Sequence, residues 1–237
     1  MIGFSGSEAV AQDPGPINTE RPSFSSSPLA LATGFWQIEA GYQLTRNGGS
    51  NSLTEHTLPN ALLRFGFYQN LELQLNGVSF KQTRTGGVET DGFQDVSLGV
   101  KWQINGSDAT VPIGLFAGVS LPVGSSEFTS DDYDPSIGMF WSHSGSLEWF
   151  GAVTAKKSGG QYSFDNALGL SFSLQETTGA FVEFHSSMPE GSGPSHNLNG
   201  GITWLLAYAL QVDIHGAVGL NSRANDYSVG TGIAYRF

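Results

Sequence analysis

The amino-acid sequence predicts an all-β protein: a closed antiparallel transmembrane β-barrel of about twelve strands, preceded by a Pro- and Ser-rich lead segment. Three observations predict this class. Apolar and polar residues alternate with a period of two along most of the chain, the connections alternate between short and long, and charged residues are scarce. Period-two alternation is typical of strands with two different faces. No apolar run approaches the roughly 20 residues of a spanning helix, which excludes a helical membrane protein.

The composition indicates that much of the surface does not face water. The 237 residues include 10 Lys and Arg against 21 Asp and Glu, a net charge of −11, and charged residues make up 13%. That fraction is about half of the roughly 25% in soluble proteins, whose surfaces are covered by charged side chains. The negative balance argues against nucleic acid and anionic substrates as partners. Because there is no cysteine, disulfides and thiolate metal sites are excluded.

The first element is the lead, residues 1–33, and the barrel follows over residues 34–237. Within the lead, Ala9-Val10-Ala11 before Gln12 resembles the cleavage end of a secretory signal peptide. A short tail of small residues is the alternative interpretation. We therefore predict an exported chain that carries the remainder of a signal peptide.

Twelve strands follow, and their connections favour an outer-membrane barrel. The predicted strands are 34–45, 57–67, 71–82, 94–104, 110–121, 136–142, 147–156, 162–174, 179–186, 197–205, 209–220 and 227–237. Five connections are short, whereas the other six, among them 46–56, 83–93 and 122–135, are longer on the whole. Short turns at one rim, long loops at the other and an even strand count are typical of bacterial outer-membrane barrels. The sheet must close, because an open edge would leave backbone groups unsatisfied in lipid.

The two faces of the strands distinguish a membrane barrel from a soluble sandwich. One face is bulky and apolar, and the other is small and neutral, with residues such as Gly99, Ser120, Ser171 and Asn199. A sandwich would expose a charged outer face rich in Lys and Glu. A crowded polar lumen explains the small neutral face better.

Aromatic residues of the apolar face cluster near the short-turn ends of their strands. These are Trp36, Trp102, Trp141, Trp149, Trp204 and Phe237, with Phe67. Amphipathic rings favour the headgroup level of a bilayer, so we expect these rings to form a collar at one membrane interface. Tryptophans of a soluble core would instead be scattered along the strands.

The chain resembles the outer-membrane transporter family named after the MetA pathway of phenol degradation. The blocks that carry the resemblance include INTERPSFSSSP, HTLPNALLRFGF, FQDVSLGVKWQI, GLFAGVSLPVGS, LQVDIHGAVGLN and DYSVGTGIAYRF, in this order. The resemblance implies an exported barrel in the cell outer membrane of a Gram-negative bacterium, which passes small, apolar or aromatic molecules. The terminal Phe237 looks like the signal read by the barrel assembly machinery. Lipid and lipopolysaccharide are the other expected partners, with no nucleic acid and no cofactor.

Charges on the lumen side are the candidate permeation residues, because a charge inside a narrow tube must be paired or hydrated. They are Glu39, Arg64, Glu72, Lys101, Glu183, Asp213 and Arg236. Strand closure predicts that Arg236 faces Glu39, with Asp213 on its other flank, in an ionic cluster. Such a cluster either selects permeants at a constriction or fills the lumen and rigidifies the wall.

The lead segment from Ile17 to Leu31 is a candidate lumen plug or gate. Its distinctive residues are Arg21, Pro22 and Phe24. A disordered arm outside the barrel is the alternative. A blocked lumen would make the protein a structural barrel.

Two further chemistries are weaker candidates. The acidic loop 122–135 holds Asp131, Asp132 and Asp134 without Lys or Arg and is a weak candidate for divalent ions. His185 and a nearby serine could form the pair of a lipid-modifying enzyme, but His185 falls on the lumen side, away from lipid.

We therefore expect a passive porin-like channel or transporter for small neutral, apolar or aromatic, or weakly cationic molecules, and no enzyme.

Overall fold

The structure, a computed structural model, describes residues 14–48 and 52–237 and contains thirteen strands. The candidate signal-peptide residues Ala9 to Gln12 lie outside the described residues. The strands are β1 (Trp36–Asn47), β2 (Leu53–Tyr68), β3 (Leu71–Thr85), β4 (Val88–Phe93), β5 (Val96–Gln103), β6 (Ile113–Leu121), β7 (Asp134–His143), β8 (Glu148–Ser158), β9 (Gln161–Gln175), β10 (Thr178–Pro189), β11 (Ser195–Ala207), β12 (Leu210–Gly219) and β13 (Tyr227–Arg236). Within the described ranges no helix is long and apolar enough to cross a bilayer.

The strands form one closed antiparallel barrel. Strands that follow one another in sequence pair, except that β5 pairs with β3 instead of β4, and β1 pairs with both β2 and β13, which closes the sheet. At this seam Ile38 is paired with Tyr235 and Gly41 with Gly232. Closure joins the first and last strands, so the barrel wall has no open edge there, as a sheet surrounded by lipid requires.

Twelve positions around the barrel accommodate thirteen strands because β4 and β5 share one. β5 pairs with the first half of β3, from Leu71 to Asn76, and β4 pairs with the second half, from Phe80 to Thr85. The change of partner lies at Gly77, whose φ is +89° and where a Cβ would collide with the carbonyl oxygen of Asp95. Glycine is the residue that tolerates such a backbone. The twelve-stranded barrel is confirmed.

The connection predicted at 83–93 is wrong, because β3 and β4 continue there as a hairpin around a Gly86-Gly87 turn. Glycines favour positive φ, and both have it. β2 likewise begins at Leu53, inside the connection predicted at 46–56. At the other rim, the connection between β5 and β6 spans 104–112 and is longer than predicted.

The barrel is apolar outside and polar inside. Ile38, Ile137 and Ile233 on the outer wall are 44%, 62% and 49% exposed, whereas Gln37 and Glu39 on the inner wall are 0% exposed. This is the reverse of a water-soluble protein, in which large apolar side chains are buried. An outer wall of this kind fits lipid tails.

The five tryptophans and Phe237 all lie on the outer wall, toward the short-turn rim. Trp36 and Trp102 are 40% and 50% exposed, and the Trp36 ring stacks on Phe65 with centroids 4.3 Å apart. Trp141 covers the outer side of Gly151, where a Cβ would meet its ring at 2.6 Å. The collar therefore surrounds one end of the barrel, at the level expected for a membrane interface.

Candidate functional site

The lumen contains residues 14–35, here named the lumen segment. It enters at the short-turn rim, where the Ile17 amide donates to the Tyr208 carbonyl at 2.9 Å. It reaches furthest into the barrel at Phe24, whose ring stacks on His185 at 4.1 Å. It then returns to the same rim, where Gly34 donates to the Gly66 carbonyl at 2.7 Å. The segment is thus a loop that goes in and comes back out.

Arg64 on β2 is the centre of the contacts between the wall and the segment. Its guanidinium donates to both oxygens of Glu72 at 2.7 and 2.8 Å, and to Glu39 at 3.1 Å. It also reaches the segment, at the Asn18 carbonyl, 2.8 Å away, and at the Glu20 carboxylate, 3.0 Å away. A buried guanidinium is stable only when its donors are paired in this way.

Lys101 on β5 also binds the segment at Glu20, through the same carboxylate oxygen that Arg64 contacts. Its ammonium pairs with the Glu20 carboxylate and donates to the Ser27 carbonyl at 2.9 Å. It also lies 5.7 Å from the centroid of the Phe140 ring. Glu20 therefore stands between two buried cations, Arg64 and Lys101, which neutralise a carboxylate brought inside the barrel.

Wall carboxylates accept the backbone amides of the segment. Glu183 accepts from the amides of Phe24 and Ser25 at 2.7 and 2.8 Å and from the Ser25 hydroxyl at 2.6 Å. Glu39 accepts from the amides of Glu20 and Arg21, and Glu72 from that of Leu31. Because the segment forms no strand, these side chains take the place of a β-sheet partner.

Arg21 binds across the seam between the first and last strands. Its guanidinium pairs with Asp213 at 3.2 Å and donates to the Thr231 carbonyl at 3.2 Å. The paired glycines Gly41 and Gly232 make room for it, because a Cβ at either position would collide with the guanidinium. The two facing glycines thus leave the space that the Arg21 side chain occupies.

The predicted ionic cluster of Arg236 with Glu39 and Asp213 is wrong, because other arginines pair with these two carboxylates. Arg236 lies opposite Gln37, one inward position away from Glu39. Its guanidinium donates to the carbonyls of Pro14, Gly15 and Pro16, the Gly15 bond being 2.7 Å. Glu39 is paired with Arg64 and Asp213 with Arg21. Residue alternation gave the correct face, but the contact partners depend on the segment.

All seven predicted lumen charges are buried and contact the lumen segment. Glu39, Arg64, Glu72 and Lys101 belong to one network, whereas Glu183, Asp213 and Arg236 bind the segment at separate points. The sequence prediction missed residues that complete these contacts. They are Asn18, Glu20 and Ser25 in the segment and Gln37 and Gln103 on the wall. An acidic residue beside an arginine, in the Glu20-Arg21 pair, was the one available signal.

The weak metal candidate in the acidic loop is not assembled. The Asp132 carboxylate is bound by the Lys157 ammonium, and this hydrogen bond lowers the pKa of Asp132 below its usual value. Asp134 accepts from the Gly159 amide at 3.0 Å instead. Over residues 14–48 and 52–237, no three His, Asp or Glu side chains are grouped to hold a metal ion.

The pair considered for lipid modification lies inside the barrel. His185 stacks on Phe24, and both His185 and Ser187 line a lumen cavity, facing away from the lipid-exposed wall. A lipid substrate in the membrane would not meet them there. The geometry therefore gives no support to that chemistry.

Solved structures with a similar fold are outer-membrane barrels. An outer membrane channel from Pseudomonas putida F1 has a TM-score of 0.68 and 12% identity, covering 91% of this chain and all of that one. KdgM porin has a TM-score of 0.52 and 9% identity over 85% and 99% of the two chains. The translocator domain of the autotransporter NalP from Neisseria meningitidis has 0.54 and 10% identity over 87% and 89%. No curated protein sequence matches the chain. The family model described as "Putative MetA-pathway of phenol degradation" matches residues 19–237, and the chain belongs to that family.

Proposed function

We propose that the protein is a channel or transporter for small molecules in the outer membrane of a Gram-negative bacterium, with the lumen segment as its gate. The observation that carries this proposal is the division of the lumen. The segment lies across a polar tube. A cavity of about 350 Å³, the inner cavity, lies between it and the short-turn rim. Two cavities of about 220 and 290 Å³ lie toward the long-loop rim, and the one of 290 Å³ is the outer cavity. Such volumes suit monocyclic aromatics, sugars and amino acids.

The permeants are small neutral, apolar or aromatic, or weakly cationic molecules. The net charge of −11 disfavours anions. The seven buried wall charges control permeation indirectly, because they hold the gate. The fold likeness to an outer membrane channel and a porin supports the channel part of this proposal. Lipopolysaccharide around the wall and recognition of Phe237 by the assembly machinery belong to the same proposal.

A structural barrel with a permanently blocked lumen is the second candidate, and the number of buried contacts to the segment favours it. Liposome swelling distinguishes the two. Reconstituted wild-type protein is compared with a variant that lacks residues 17–31, using neutral, cationic and anionic solutes of matched size. We expect slow swelling with wild type, faster swelling with the deletion, and the slowest swelling with anions.

The double variant Glu183→Gln/Asp213→Asn keeps the segment but weakens two of its attachments, and it replaces the deletion if the latter fails to fold. Folding is checked by the heat-dependent migration of barrels in detergent gels. Rates equal to empty liposomes for wild type and both variants would exclude a channel. A permeable deletion with an impermeable wild type and double variant would favour the blocked barrel.

A further inference from the structure

The hydrogen bonds that hold the lumen segment lie along one continuous arc of the barrel wall, from β10 through the seam to β5. Its hydrogen bonds to the wall go to β1, β2, β3, β5, β10, β12, β13 and the turn after β11. Within the two described ranges, no hydrogen bond joins the segment to β6, β7, β8 or β9. Pro28 packs on Gly114 of β6, where a Cβ would meet its carbonyl oxygen at 2.5 Å, so the remaining space lies beside β7, β8 and β9.

The remaining space follows β8 and β9. The inner cavity is lined on these strands by Glu148, Phe150 and Ser171, and the outer cavity by Ala152, Lys156, Asp165 and Ala167. The outer cavity shares Lys156 with a wider opening of about 610 Å³ among the long loops. Inner cavity, outer cavity and mouth therefore all lie along β8, and the two cavities also touch β9.

A single aromatic ring separates the two cavities on β8. Phe150 lines the inner cavity, and Ala152, the next inward residue, lines the outer one. The Phe150 ring lies flat on Gly169 of β9, where a Cβ would collide with it, and packs edge-on against Phe181 at 6.3 Å. Because Gly169 has no side chain, the ring can fold against the wall rather than point into the lumen.

We propose that small solutes cross the barrel along β8 and β9, past Phe150, while the lumen segment stays bound. This inference rests on the proposed channel function and names the narrow path that stays open while the gate is closed, distinct from the wider opening expected when the segment leaves. Phe150 sets the width of the path. In the bound-segment state the wall opposite Phe150 is the Ser25–Ser27 stretch, which also lines the inner cavity.

The fixed charges along this path make it selective for cations. Glu148 at the inner end accepts one hydrogen bond, from the Ser171 hydroxyl at 3.2 Å, and is paired with no cation in the described part of the chain. Lys156 at the outer end is neutralised by Asp165 at 2.8 Å. A carboxylate beside a narrow path attracts cations and repels anions. The path thus favours neutral and cationic solutes over anions of equal size.

Single-channel conductance in planar bilayers tests the path. We expect Phe150→Ala to raise the conductance several-fold and Gly169→Val to lower it, since a side chain there pushes the ring off the wall. Phe116→Ala is the matched control, because the Phe116 ring lies in the same way on Gly99 and Gly118 but lines neither cavity. Glu148→Gln should reduce the preference for K⁺ over Cl⁻, while the conductance keeps its order of magnitude.

The position of the segment is monitored in the same samples. The chain has no cysteine, so Ser25→Cys supplies one thiol at a site that is 3% exposed, and its maleimide labelling reports departure of the segment. We expect slow labelling in the conducting Phe150→Ala background. Labelling that rises together with conductance would overturn the path, because solutes would then follow release of the segment.

Two failures remain distinguishable. If wild type and every variant conduct no better than the bilayer alone, the proposed channel function fails. If wild type conducts and Phe150→Ala behaves like Phe116→Ala, the channel stands and the path along β8 and β9 is wrong.

Discussion

Arg64 on β2 and Glu72 on β3 form two parallel hydrogen bonds, Nε to Oε1 at 2.7 Å and Nη2 to Oε2 at 2.8 Å. The register places Arg64 opposite Gln74, so the pair is diagonal across the β2–β3 ladder. Bidentate geometry fixes the plane of the guanidinium. Its remaining N–H groups are thereby aimed at Glu39 and at the lumen segment.

Arg64→Ala should strongly destabilise the barrel. The substitution leaves Glu39, Glu72 and Glu20 close together without their shared cation, and an uncompensated buried charge costs about 3–5 kcal/mol. Urea unfolding in detergent measures the loss. Arg84→Ala is the control, since this arginine is exposed at the outer end of β3 and its removal should cost less than about 0.5 kcal/mol. Equal effects would contradict the central role of Arg64.

Accessibility of the segment should depend on its attachments. A cysteine at Ser25 should react slowly with a maleimide in folded protein, whereas one at Ser126, in an exposed loop, should react at once. Adding Glu183→Gln should accelerate labelling at position 25, because Glu183 accepts from the backbone amides of residues 24 and 25, and these two bonds do not depend on the Ser25 side chain. An unchanged rate would mean that Glu183 does not hold the segment.

A charge on the outer wall should be costly. Val100 lies midway along β5 on the lipid-facing side, and Arg at the midplane of an outer-membrane barrel costs about 2–4 kcal/mol. We therefore expect Val100→Arg to lower stability in lipid vesicles by that amount. Val123→Arg, in the loop after β6, should have little effect because Val123 is 64% exposed at the outer rim. Similar stability of the two variants would argue against lipid contact at Val100.

Acid should loosen the long loop at the outer rim. Burial opposes ionisation of Asp95, but the amides of Ser130 and Gly124, each 2.9 Å from its carboxylate, outweigh this and hold the pKa of Asp95 below its usual value. A lowered pKa means that ionised Asp95 stabilises the folded loop above about pH 4, and that this stabilisation is lost as pH falls through the lowered pKa. Hydrogen exchange at the Ser130 amide should therefore show protection, after correction for intrinsic rates, that is constant near neutral pH and falls as the pH is lowered below about 4.

Asp95→Asn provides the control for the acid effect. This variant should show reduced protection of the Ser130 amide already at neutral pH and little further loss in acid. A variant that kept the acid response of the wild type would assign that response to another group.

Most of the barrel was predictable from the sequence because lipid and lumen impose opposite demands on alternate residues. Ile38 and Glu39 could be placed on opposite faces from parity alone. The hairpin of β3 and β4 was missed because its residues, such as the adjacent Glu89 and Thr90, are polar on both faces outside the membrane. Alternation carries no signal where both faces meet water.

The site was predictable as a set of charges but not as a set of contacts. The alternation of faces along each strand placed Arg236 and Glu39 in the lumen. Their partners, however, depend on a segment without regular structure, and period-two patterns do not specify its course. Phe150 was also invisible as a distinct residue, because its significance comes from Gly169 on the next strand and from the side of the barrel that the segment leaves open.

Arg21 touches the barrel where its two ends meet. It lies on Gly41 of the first strand and Gly232 of the last, and binds Asp213 on the strand beside that. A contact that needs both ends of the chain cannot form until the circle of strands is complete. The arginine consequently acts as a latch on the finished cylinder, and the first and last parts of the polypeptide become mutually dependent at the final step of assembly.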